Sequence, residues 1–139
     1  MRTRPFLFAV SLIAGLSGCA SQIAGTEDLD CSNAAECRVH VFVKCSGSCA
    51  TAVDHDRVIG KRNGEIVWEM QNQAGQTYAF DRVNGLVFAA GSTKFPCHVE
   101  ANGARFSCTN HGDREQYKYT INLVGSPAVG PLDPWVVNN

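Results

Sequence analysis

Apolar and polar residues alternate with a period of two over most of the chain beyond residue 36. Val39, Val41 and Val43 interleave with Arg38, His40, Phe42 and Lys44, which puts β-branched side chains on one face of an extended segment. Tyr117, Tyr119, Ile121 and Leu123 alternate in the same way with Lys118, Thr120 and Asn122 to give the last long strand. Three Asn-Gly pairs punctuate the region between, at 63–64, 84–85 and 102–103, and Asn-Gly favours tight turns because both residues tolerate positive φ. Strands are therefore expected at 57–61 and 65–70, at 76–80 and 86–90, and at 95–100 and 105–109. No segment combines a helix cap with a sustained 3.6-residue period. Seven or eight short strands in one domain-sized chain predict an all-β fold, and we read it as a β-sandwich rather than a barrel.

The first 30 residues follow a different pattern. Arg2 and Arg4 precede an apolar stretch from Pro5 to Gly18, shorter than the roughly 20 residues that span a bilayer. It ends in Leu16-Ser17-Gly18-Cys19, an aliphatic residue, two small residues and a cysteine. This segment resembles the lipobox of bacterial lipoproteins. The resemblance implies cleavage before Cys19, lipidation of that cysteine, and a membrane anchor that needs no transmembrane helix. Ala20 follows Cys19, and the absence of Asp there implies sorting to the outer membrane, facing the periplasm or the cell surface. The expected organisation is a signal peptide over 1–18, a lipidated tether over 19–30, a sandwich over 31–124 and a proline-rich tail over 125–139.

Charge changes this picture little. The chain of 139 residues carries 12 basic and 13 acidic residues, and loss of Arg2 and Arg4 leaves the mature protein mildly acidic. No basic stripe suggests nucleic acid as a partner. Cysteine usage says more. Beyond Cys19 stand Cys31, Cys37, Cys45, Cys49, Cys97 and Cys108, an even number that in an exported chain favours disulfides. A two-residue turn at Asn102-Gly103 places Cys97 opposite Cys108 as a hydrogen-bonded pair, so these two are expected to be bridged. The other four pair among themselves in an order that spacing leaves open.

The tail carries Pro127, Pro131 and Pro134 and is expected to lie along the surface, since proline cannot donate to a central ladder. Trp135 within it is the candidate partner-binding residue. Read together, Gly64-Glu65-Ile66-Val67-Trp68, Phe80-Asp81 and Phe106-Ser107-Cys108-Thr109-Asn110-His111 before the last strand resemble the segment order of cupredoxins. That resemblance implies a Greek-key sandwich, with Cys108, His111 and Gln116 where the late loop of the family binds copper. The sequence departs from the pattern where an earlier histidine should stand, because Gln76, Thr77 and Tyr78 fill that stretch. A Cys97–Cys108 bridge would also remove the thiolate that copper needs.

Other chemistry is sparse. Cys45-Ser46-Gly47-Ser48-Cys49 has the spacing of some copper-handling thiol pairs but lies too early in the chain, and we read its cysteines as members of structural disulfides whose pairing stays open. Asp54-His55-Asp56 reads as a solvated loop. Neither a nucleophile elbow nor a paired-histidine zinc motif nor a phosphate loop is present in the sequence. The expectation is a non-enzymatic, monomeric lipoprotein without a cofactor that acts as a binding or structural module of the envelope, with an envelope protein as its partner. The alternative is a copper-binding or electron-transfer protein using Cys108 and His111.

Overall fold

The computed structural model describes residues 27–139. The expected signal segment, Cys19 and most of the expected tether lie outside the described residues. Among the described residues there are twelve strands: β1 (Leu29–Asp30), β2 (Glu36–Ser46), β3 (Ser48–Val53), β4 (Arg57–Gly60), β5 (Glu65–Met70), β6 (Ala79–Phe80), β7 (Leu86–Phe88), β8 (Cys97–Glu100), β9 (Arg105–Thr109), β10 (Gln116–Ile121), β11 (Leu123–Val124) and β12 (Trp135–Asn138). They exceed the seven or eight expected because several are two or three residues long. The fold is all-β, with two mixed five-stranded sheets and a small β6–β11 pair. One sheet runs β1-β4-β12-β10-β7 and the other β3-β2-β5-β9-β8.

The alternating pattern decides which faces meet. Val39, Val41 and Val43 of β2 and Ile66 and Trp68 of β5 are buried with Tyr117, Tyr119 and Ile121 of β10 in one core. Trp68 and Tyr119 join the sheets, with ring centroids 5.2 Å apart and the indole N–H donating to the Tyr119 hydroxyl at 3.0 Å. Burial pushes the Tyr119 phenol pKa up, so this buried oxygen stays neutral and able to accept. Phe88 stacks on Phe95 at 3.8 Å, which extends the aromatic layer to one edge.

Two of the expected hairpins are something else. β4 and β5 flank Asn63-Gly64 but belong to different sheets, so this turn crosses the sandwich. Asn63 still adopts the positive φ that the motif favours, at 63°. Asn84-Gly85 does not join β6 to β7 as a hairpin, because β6 pairs with β11. Here the Asp81 carboxylate accepts from the Val83 and Asn84 amides and closes the turn. Gly85 is required for space, since a Cβ would lie 2.3 Å from the Asp81 carbonyl oxygen.

The largest correction concerns the chain's ends. The tail does not merely cover the surface, because β12 is the central strand of its sheet, parallel to β4 and antiparallel to β10. The proline argument holds only as far as Pro134, and the four residues after it can donate to both neighbours. Val136 and Val137 are buried there, and Asn138 exchanges two side-chain hydrogen bonds with the fully buried Asn110, at 2.7 and 3.0 Å. Leu29 and Asp30, expected in the tether, pair with Val58 and Ile59 as β1.

Deleting residues 135–139 is expected to split this sheet and to destabilise the protein by more than about 3 kcal/mol from the two buried valines alone, as read by urea denaturation. Acid acts in the same direction. Hydrogen bonds from the Ser32 backbone lower the Asp30 pKa, and those from Asn84 and Val83 lower that of Asp81. Lys94 lowers Asp113, while Thr120 and then Lys118 lower Asp133. The folded state thus binds fewer protons than the unfolded one around these values. Their contribution is complete above about pH 4 and is lost as pH falls through the depressed pKa values, so the urea midpoint should drop between about pH 4 and pH 2.

Candidate functional site

Alternation along β12 turns Val136 into the core and Trp135 to the outer face of the sheet. Trp135 stands directly between Arg57 of β4 and Lys118 of β10. It is 41% exposed, whereas Trp68 is fully buried. Each flanking cation already has a partner. Arg57 lies 3.3 Å from Asp28, and Lys118 lies 3.3 Å from Asp133, whose other oxygen accepts from the Thr120 hydroxyl at 2.7 Å. The indole therefore sits in a frame of fixed, compensated charges. Beside it Asp56, Leu132, Asp133 and Pro134 form a shallow depression of about 320 Å³. Val87, 43% exposed, continues the outer face across Thr120. This arrangement presents an apolar centre within a polar rim.

The six cysteines form three disulfides, Cys31–Cys37, Cys45–Cys49 and Cys97–Cys108. Cys97 and Cys108 are opposite one another, but as a non-hydrogen-bonded pair, with Cα atoms 4.0 Å apart. The Thr109 amide donates to the Pro96 carbonyl, which fixes that phase. The reason is the turn: Ala101–Gly103 is a 3-10 turn inside a four-residue loop between Glu100 and Arg105, not the two-residue connection that the sequence suggests. Cys45–Cys49 closes the β2–β3 hairpin around Gly47. Cys31 donates its amide to Ile59 of one sheet and Cys37 pairs with Ile66 of the other, so their disulfide ties the two sheets together.

The residues of the late loop do not suit type 1 copper. Cys108 is buried and its sulfur is bonded to Cys97, so it offers no thiolate. His111 and Gln116 are exposed, and His111 Nδ1 lies 3.0 Å from the Asn63 side-chain oxygen. His98, on the hairpin beside Cys97, is held by Glu100 at 2.8 Å instead. The loop at 54–56 is more organised than its sequence implies. Asp54 reaches His40 Nδ1 at 2.8 Å and lies 3.9 Å from His55 Nε2, while His55 Nδ1 meets the Glu27 carbonyl oxygen at 2.8 Å. Sequence reasoning missed the Asn110–Asn138 pair entirely, because an asparagine after a strand reads as a turn residue.

Collisional quenching should separate the two tryptophans. Acrylamide is expected to quench Trp135 and not Trp68, so Trp135→Phe would leave emission that resists quenching until the protein unfolds. No protein-family model matches the chain, and no curated protein is detectably similar to it in sequence.

Proposed function

We propose that the chain is a lipid-anchored envelope protein, a non-enzymatic β-sandwich tied to the outer membrane through Cys19, which binds another envelope protein through the face carrying Trp135. One observation carries this reading: the six cysteines from Cys31 to Cys108 are all paired in disulfides. Disulfides persist in oxidising compartments such as the bacterial periplasm. That agrees with a lipobox whose cysteine, Cys19, stands apart from those six. The exposed indole on a rigid central strand supports the binding role, since a large apolar side chain held in place loses little entropy on docking. The sandwich reading goes further to a cupredoxin-like scaffold without the family's copper site, supported by mixed sheets and by the oxidised Cys108.

Fractionation tests the anchor. The wild-type chain is expected in outer-membrane vesicles with an acylated amino-terminal peptide by mass spectrometry, and Cys19→Ser in the soluble periplasmic fraction. A wild-type amino terminus that begins elsewhere than Cys19, or carries no lipid, would falsify the proposal. A photo-crosslinking residue at position 135 is expected to capture one envelope protein in the native membrane, whereas the same residue at the exposed position 44 is not.

A further inference from the structure

Among the described residues, both sheets end in an unpaired edge on the same side of the sandwich, with β7 paired only to β10 and β8 only to β9. The Thr109 to Pro96 hydrogen bond makes Cys97 and Val99 non-hydrogen-bonded positions of the β8–β9 ladder, so their own amides and carbonyls point away from β9. On the facing edge, the Asn122 to Gly85 and Ala89 to Lys118 bonds do the same for Leu86. Between the two edges runs a groove of about 610 Å³. Leu86, Phe88 and Val99 line it together with Asn84, Ser92 and His98, so it offers apolar and polar surface in about equal measure. Val83, 83% exposed, stands at its rim.

The titratable groups around the groove are Arg82 and His98, and His98 is held by Glu100 at 2.8 Å. Arg82 lines it, no aspartate or glutamate does, and Arg82 makes no ion pair among the described residues. Its guanidinium donates only to the Asn102 side-chain oxygen, at 3.3 Å. That places the cation at the end of the groove nearest the β8–β9 loop.

We propose that this groove takes an extended apolar segment of a partner protein, which adds as a strand to the β8 edge and sets a carboxylate against Arg82. Cys97 and Val99, two residues apart, supply the donors and acceptors that strand addition needs. Every second side chain of the segment then points into the groove towards Leu86, Phe88 and Val99, and Arg82 selects the end of the segment that carries the acid. β8 is the better edge because the Phe88 carbonyl on β7 already accepts from Gly91. The proposal depends neither on lipidation of Cys19 nor on Trp135.

The test uses the mature chain and three fluorescent hexapeptides. The first is acetyl-Asp-Val-Thr-Val-Thr-Val-amide, the second has Asn for Asp, and the third is methylated on alternate backbone nitrogens. The first should bind saturably with a Kd under about 1 mM and shift the amide resonances of Cys97 and Val99. The methylated peptide should bind at least about tenfold more weakly, because it cannot donate to the edge. The Asn peptide, and Arg82→Gln with the first peptide, should each lose about fivefold or more. Val83→Glu, an exposed rim change that spares the core, should weaken the acidic peptide. No saturable binding of the first peptide, or equal binding of the methylated one, overturns the strand-addition proposal. Equal binding of the Asn peptide overturns the role given to Arg82, and shifts centred on Trp135 would move the site to the other face.

Discussion

The final strand holds the larger constraint on this fold. β12 lies between β4 and β10, so the sheet it completes would otherwise be two separate pieces, β1-β4 and β10-β7. Its two ladders run in opposite senses, parallel to one neighbour and antiparallel to the other, and each of its residues from 135 to 137 has a cross-strand partner on both sides. Val136 carries the apolar contact into the core, while Asn138 meets Asn110 by two reciprocal side-chain bonds. Buried amides with both donor and acceptor satisfied cost little, and a mismatch at either residue would strand the other. Gly60 beside them is fixed by the same packing, because a Cβ would lie 2.6 Å from the Asn110 amide nitrogen.

With that strand in place, the two sheets are joined by unlike devices at different depths. In the centre the Trp68–Tyr119 contact combines ring packing with a hydrogen bond in a dry environment, where such a bond gains strength. Near the start of the domain the Cys31–Cys37 disulfide ties a residue beside β4 to one in β2. The other two disulfides lie within hairpins of a single sheet and act on strand register rather than on sheet-to-sheet packing. A domain this small gains from such cross-links, since its core alone offers limited stabilisation.

The same architecture sets where recognition can occur. A strand in mid-sheet is rigid, so Trp135 is offered from a fixed position rather than from a mobile loop. The opposite situation holds at β7 and β8, which among the described residues are the last strands of their sheets and leave backbone groups unpaired. Compensated charges surround the indole, whereas an uncompensated guanidinium stands at the groove. Two surfaces of different chemistry thus face different sides of one small sandwich.

Period-two alternation was enough to settle the all-β class and the inward faces of β2 and β10, because side-chain direction in a strand is fixed by its own residue number. The Cys97–Cys108 bridge was legible for a related reason: a hairpin pairs residues by their distance from the turn. The ladder phase at that bridge was not, since it depends on whether the loop holds two residues or four. Nor could local pattern show that Asn63-Gly64 crosses between sheets, that Asn84-Gly85 makes no hairpin, or that Trp135–Asn138 enters the middle of a sheet. Trp135 was recognisable as a candidate, but its flanking cations and its exposure follow from neighbours far away in the chain. The edge groove and the Asn110–Asn138 bond likewise exist only once distant segments meet. The sequence by itself determined which side of the long alternating strands β2 and β10 is apolar; which strands become neighbours was left to the tertiary structure, because that choice is made by long-range packing that no stretch of chain encodes alone.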